Sequence, residues 1–133
     1  MSTVEQKGWS VDAFEAFWSQ PDPSLVPGAL TDDVVGYWAG RNEPVRGRDP
    51  YTRCIAELVE ALPDVRLEVA EQAESGEFTF IRWIMRATGR HGAFEFSGID
   101  RVRKRGPLVA ENVIVFDTAE FEARSGVPVP WRA

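Results

Sequence analysis

The sequence predicts an α+β domain, with helices laid on one face of an antiparallel sheet, and three observations carry that reading. Apolar residues recur at helical spacing through the first half of the chain, the period changes to two from Val65 onward, and glycine-bearing turns then separate four long segments. At 133 residues with 44% hydrophobic content the chain can bury a core but strains to supply two, so a single domain over 1–133 is expected. Within it, 1–9 read as a polar leader and 127–133 as an extended tail lying across the surface or a neighbouring subunit.

Ser10 stands where a helix cap belongs, and Val11, Phe14, Phe17 and Trp18 follow three to four apart, with Asp12 well placed near the positive end of the helix. Pro21 and Pro23 end this helix. Pro23 also suits the first turn of a short second helix running towards Leu30, shortened by Pro27 and Gly28. Residues 34–38 read as a short strand, and the polar stretch 39–47, with Gly40, Pro44 and Gly47, as a loop. Asp49 and Pro50 start a further helix that sets Tyr51, Ile55, Leu58, Val59 and Leu62 on one face and stops at Pro63.

Val65, Leu67 and Val69 alternate with polar neighbours as a strand with one wet face, turned at Ser75 and Gly76. In 78–88, Ile81, Trp83, Met85 and Ala87 share one face, and Phe80, Arg82, Ile84 and Arg86 share the other. Gly89 and Gly92 bracket the next turn around Arg90 and His91. The following strand puts Phe94, Phe96, Gly98, Asp100 and Val102 on one side, an apolar face interrupted by a single carboxylate. After the Gly106 and Pro107 turn, 108–116 forms a last strand, and Thr118 is placed to cap a short helix ending near Gly126.

Composition narrows the function. A net charge of −6 argues against nucleic acid as partner, because the phosphate backbone demands a concentrated basic surface; the dense run Arg101, Arg103, Lys104 and Arg105 reads as the solvated end of a strand. No segment approaches the roughly 20 apolar residues of a membrane span, and the opening residues lack an apolar signal core, so a cytoplasmic protein without membrane contact is expected. Cys54 is the sole cysteine and His91 the sole histidine, which leaves neither a disulfide nor the ligands of a usual zinc site. Without a glycine-rich phosphate loop or a serine nucleophile elbow, the expected reaction uses no cofactor and no metal.

The local signatures Thr31-Asp32-Asp33-Val34-Val35, Val45-Arg46-Gly47-Arg48-Asp49, Phe96-Ser97-Gly98-Ile99-Asp100-Arg101-Val102-Arg103 and Ala110-Glu111-Asn112 with Asp117 occur in an order that resembles the SnoaL-like pattern of the nuclear transport factor 2-like superfamily, which includes the ketosteroid isomerase-like proteins. The resemblance implies a curved antiparallel sheet forming a cone-shaped half-barrel, with about three helices covering an internal pocket that takes small hydrophobic molecules. Relatives of this kind isomerise steroids, cyclise polyketides, act on epoxides or merely bind, so fold leaves function open. Matched to the steroid isomerases, the helix tyrosine that donates to the enolate falls at Phe14 and the aspartate that moves the proton falls at Trp38. Only the second aspartate of the oxyanion pair is kept, as Asp100, so that specific mechanism is rejected. The tryptophan common after the Glu-Asn pair is Val113 here, which implies a pocket of altered shape.

These readings nominate residues. Asp100, on the face that lines the pocket, is the candidate acid or base, since burial without a cation raises a carboxyl pKa towards neutrality. His91, in a turn where SnoaL-like sequences often carry a histidine near the rim, and Glu111 are the candidate assistants, the former because imidazole titrates near pH 6.5. Parity separates Asn112 from Glu111 and Asp117; either face of the last strand can meet the cavity, while Asp117 suits a cap or a pair at the strand end. Phe14 and Phe17, then Trp38 and Tyr51, then Trp83, Met85 and Phe96 are candidates for the ligand wall, with Asn112 as a polar contact. The expected activity is that of a cofactor-independent isomerase, cyclase or lyase on a small hydrophobic carbonyl-bearing metabolite, polyketide-like or steroid-like; the alternative is a non-catalytic binding protein with the same pocket. A homodimer through the outer sheet face, where Phe80, Ile84 and Ile99 stand among arginines, is expected.

Overall fold

The structure, a computed structural model, describes residues 8–131; the leader residues 1–7 and the tail residues 132–133 lie outside the described residues. Ser10 caps α1 (Val11–Ser19) by accepting from the Ala13 N–H at 3.0 Å. Phe14 and Trp18 form the buried stripe of that helix. The short second helix is instead a pair of single 3-10 turns, Pro23–Leu25 and Pro27–Ala29, because each proline opens a turn that the next proline prevents from propagating.

β1 (Leu30–Trp38) begins four residues earlier than the alternation suggested, directly after the second 3-10 turn. The acidic pair lies inside it: Asp32 meets Arg48 and Asp33 meets Arg105, both at 2.7 Å, so two exposed carboxylates tie the strand to its neighbours. The segment read as a loop contains a two-residue strand, β2 (Val45–Arg46), paired antiparallel to β1. Gly47, at φ 95°, turns the chain into α2 (Arg48–Ala61), a conformation open to glycine and strained for other residues. Tyr51, Cys54, Ile55 and Leu58 bury one side of α2.

The long strands follow the expected period: β3 (Arg66–Ser75), β4 (Phe78–Gly89), β5 (Gly92–Arg105) and β6 (Leu108–Val115). With β1 and β2 they make one curved, unclosed sheet in the order β2-β1-β6-β5-β4-β3. The sheet is not wholly antiparallel. β1 inserts beside β6 and runs parallel to it, pairing Gly36 with Asn112 and Trp38 with Ile114. That crossover connects β1 to β6 through everything between them in sequence, and it brings the first strand of the chain against the strand that carries Asn112.

α1 packs on β3 and α2 on β1, while α3 (Thr118–Ser125) lies on β4 and β5. Asp117 supplies the cap of α3, accepting from the Glu120 N–H at 3.0 Å, and Gly126 ends it in the left-handed region. Ile81, Trp83, Met85, Ala87, Phe96 and Val102 all turn inward and are buried, as the alternation required. Beyond α3 the tail does not wander: Val129 N–H donates to Glu122 at 3.0 Å, and Trp131 is buried. Trp9, at the end of the leader, donates its N–H to the Pro107 carbonyl at 2.8 Å. Among the described residues no helix is long and apolar enough to cross a membrane.

Candidate functional site

Between the concave sheet face and the helices lies a cavity of about 650 Å³. α1 gives it Phe14 and Phe17, β1 gives Trp38, α2 gives Tyr51, and β4 gives Trp83 and Met85; Asp100 of β5 and Asn112 of β6 face into it as well. Trp131 of the tail closes one side, set 6.1 Å from the Trp38 ring and 6.0 Å from Phe116. Phe96 does not reach the cavity. It is buried beyond it, packed edge-on against Trp83 at 5.8 Å and Phe116 at 5.6 Å, so it supports the wall from behind.

One polar chain crosses this apolar surface. Trp83 Nε1 donates to Asp100 Oδ1 at 2.8 Å, Asn112 Nδ2 donates to Asp100 Oδ2 at 2.9 Å, and the same Nδ2 donates to the Tyr51 hydroxyl at 3.0 Å. Two glycines make the arrangement possible. A Cβ at Gly98 would collide with the Trp83 indole, so the bare backbone of β5 lets that ring lie flat across the strand and aim its N–H two residues along, at Asp100. A Cβ at Gly36, which pairs with Asn112, would meet the rings of Trp38 and Tyr51 and push the tyrosine out of reach.

Asp100 is 6% exposed, and among the described residues it has no salt-bridge partner. Burial pushes its carboxyl up from 3.8 to about 6, and the hydrogen bonds from Asn112 and Trp83 hold that rise in check. A group balanced so close to neutrality can both take and return a proton in the ordinary pH range. Burial also pushes the Tyr51 phenol well above its usual value, which keeps it a neutral donor. Among the described residues no three His, Cys, Asp or Glu side chains converge into a group able to hold a metal ion.

The family pattern of SnoaL-like polyketide cyclases matches residues 10–124. The chain belongs to the SnoaL-like polyketide cyclase family. No curated protein matches the sequence. Solved structures with the same fold include an NTF2-like protein of unknown function from Burkholderia pseudomallei, 22% identical, with 96% of this chain and 100% of that one covered at a TM-score of 0.76. IdmH of Streptomyces antibioticus, a candidate polyketide cyclase, is 17% identical, with 88% and 96% covered at 0.75. A Catenulispora acidiphila protein with a ketosteroid isomerase-like fold, crystallised with trimethylamine, is 17% identical, with 91% and 95% covered at 0.75. At these identities the likeness establishes the fold and no activity.

In this SnoaL-like chain the other two candidate catalytic residues lie away from the cavity. His91 is exposed in the β4–β5 turn, its imidazole against Gly126 at the end of α3. Glu111 is on the outer sheet face, 2.9 Å from Arg101 and 3.6 Å from Arg103. Two of the arginines in the basic run, Arg101 and Arg103, therefore share the single charge of Glu111, and Arg105 is held by Asp33. Cys54 is buried with its thiol pushed up to about 11, which leaves it protonated and inert. The parity of β6 thus selects Asn112 as the inward member of the Glu-Asn pair. Sequence reasoning placed Tyr51 in the wall but missed its hydroxyl as part of the polar chain. The glycines at 36 and 98, inside strands, were the available sign that a side chain lies close over the backbone there.

Proposed function

We propose that this protein is a cofactor-independent isomerase, cyclase or lyase acting on a small hydrophobic, carbonyl-bearing metabolite, polyketide-like or steroid-like. The observation that carries this reading is Asp100, a buried carboxyl at the wall of an aromatic cavity, without a salt-bridge partner among the described residues and with its pKa raised to about 6. Ionised Asp100 takes a proton from the carbon next to the substrate carbonyl, and the electrons of that C–H bond move onto the carbonyl oxygen as an enolate. The Tyr51 O–H, a neutral donor facing the same cavity, stabilises the developing oxyanion. Protonated Asp100 then returns the proton to another carbon, or to the oxygen left after the enolate has closed a carbon–carbon bond. Tyr51 and Asn112, rather than His91 and Glu111, are the assisting groups in this reading.

Mass spectrometry of small molecules retained by the purified protein supplies the candidates for a turnover assay. With a substrate in hand, kcat/KM should rise with pH through a midpoint near 6. A flat profile from pH 5 to about 8 would remove Asp100 from the chemistry. A second reading, a binding protein with an inert pocket, is favoured by Phe14 and Trp38 at the positions where steroid isomerases carry their donor and base. It requires saturable binding of the retained molecule with no conversion.

The protein is further read as a homodimer. Tyr37, Phe80, Ile99 and Val115 are exposed on neighbouring strands of the outer sheet face, an apolar surface of the kind a second copy covers. Light scattering should give twice the mass of one chain, and a mass of one chain contradicts the dimer.

A further inference from the structure

Asn112 leaves one atom unsatisfied. The residue is 6% exposed, its Nδ2 serves both Asp100 and Tyr51, and its Oδ1 is buried with no hydrogen-bond partner among the described residues. Turning the amide over does not relieve it, because Oδ1 would then face a carboxylate oxygen of ionised Asp100. Tyr51 is the complementary case. Its oxygen accepts from Asn112, so its hydrogen remains to be given, and no acceptor for it is found among the described residues. An unused acceptor and an unused donor thus sit one hydrogen bond apart, and both residues line the cavity.

We propose that this corner selects a hydroxy-carbonyl ligand: the ligand hydroxyl donates to Asn112 Oδ1 while the ligand carbonyl accepts from the Tyr51 O–H. The proposal rests on the reading of the cavity as a ligand site and adds to it which functional groups the ligand presents and which residues take them. Because the donor and acceptor are joined through one amide group, the two ligand oxygens belong on adjacent or nearly adjacent carbons. A simple ketone fills half of the corner and leaves Oδ1 stranded. An ionised carboxylate has no hydrogen to give and is repelled by Asp100. A ligand group that displaces solvent here without restoring both bonds loses affinity.

The benzoin series tests this on the wild-type protein, with binding read from quenching of tryptophan fluorescence. Benzoin carries both groups, deoxybenzoin lacks the hydroxyl, benzoin methyl ether lacks its hydrogen, and 1,2-diphenylethanol keeps the hydroxyl but has no carbonyl. Benzoin should bind about tenfold more tightly than deoxybenzoin or the methyl ether, the weight of one satisfied neutral hydrogen bond. Tyr51→Phe, with its fold checked by circular dichroism, should bring benzoin down to the affinity that the wild-type protein has for 1,2-diphenylethanol while keeping the preference for benzoin over the methyl ether. Equal affinity for benzoin, deoxybenzoin and the methyl ether overturns the pairing and leaves the cavity standing as a ligand site. Absence of binding by every member overturns both.

Discussion

Replacing Asp100 by Asn is expected to stabilise the protein at pH 8 while abolishing turnover. In the folded state the carboxyl is pushed up to about 6 by burial, against 3.8 in an exposed chain. An acid with a raised pKa favours the folded state fully below its unfolded value, and that advantage is lost as pH rises through 4 to 6, where folding must bury the charged form. Above pH 7 the difference amounts to about 3 kcal/mol. Asparagine removes the charge and keeps the shape. Its oxygen accepts from Trp83, and its NH2 donates to Asn112 once that amide turns over, an orientation that also gives the Tyr51 hydroxyl an acceptor. Urea denaturation at pH 8 should therefore show a gain approaching about 3 kcal/mol, shrinking to less than about 1 kcal/mol near pH 4. Turnover should fall at least about 100-fold, the usual weight of an acid–base group. Equal stability of the two proteins across this range would mean that the carboxyl is not a buried charge.

Trp131→Ala should destabilise the protein by about 3–5 kcal/mol, the range for removing a large buried aromatic. Trp131 sits near the end of the chain, where residues are usually loose, yet it is 5% exposed. Its indole N–H donates to the Ala39 carbonyl at 2.9 Å, its own carbonyl accepts from Arg41 at 2.9 Å, and its ring meets Trp38 and Phe116. Trp131 also lines two spaces, the apolar cavity and a polar pocket that includes Arg41, Arg53 and Glu57. Alanine there joins them and admits water to the ligand wall. Trp131→Phe keeps most of the packing and loses the hydrogen bond, so its loss should be nearer 1 kcal/mol. A loss below about 0.5 kcal/mol for Trp131→Ala, measured by urea denaturation, would show that the tail is not part of the folded core.

How far the site could be read from sequence depended on whether its geometry is local. Asp100 was legible because a strand has a period of two, and Phe96 and Val102 on either side of it declare their face apolar. Trp83 was legible as inward for the same reason. Its bond to Asp100 was not, since the partners are two positions out of register and the indole reaches across Gly98. On β6, parity separated Glu111 from Asn112 without saying which faced inward. The answer comes from the pairing of Asn112 with the inward-facing Val102, a register set by an irregularity between Arg103 and Lys104 that a plain hairpin count does not suggest.

Tyr51 and Asn112 are 61 positions apart, and their bond depends on how α2 sits over β1. No periodicity carries that information. The early start of β1 was hidden by a register shift between Leu30 and Val35, which breaks the alternation through Thr31-Asp32-Asp33 and leaves two acids looking like a loop. His91 illustrates the opposite limit: the turn around it was visible, but the direction of that turn is set by α3, which holds it at the outside of the helix end.

One carboxyl is held within the apolar hollow, poised between its charged and neutral forms, and its own titration is the decisive measurement. Carbon-13 NMR of protein labelled at aspartate carboxyls, with Asp100→Asn identifying the signal, follows the group through pH 3 to 9 in steps of about half a unit. A midpoint near 6 is the predicted result. A midpoint at or below about 4, the ordinary value for a solvated or cation-paired aspartate, would contradict the account.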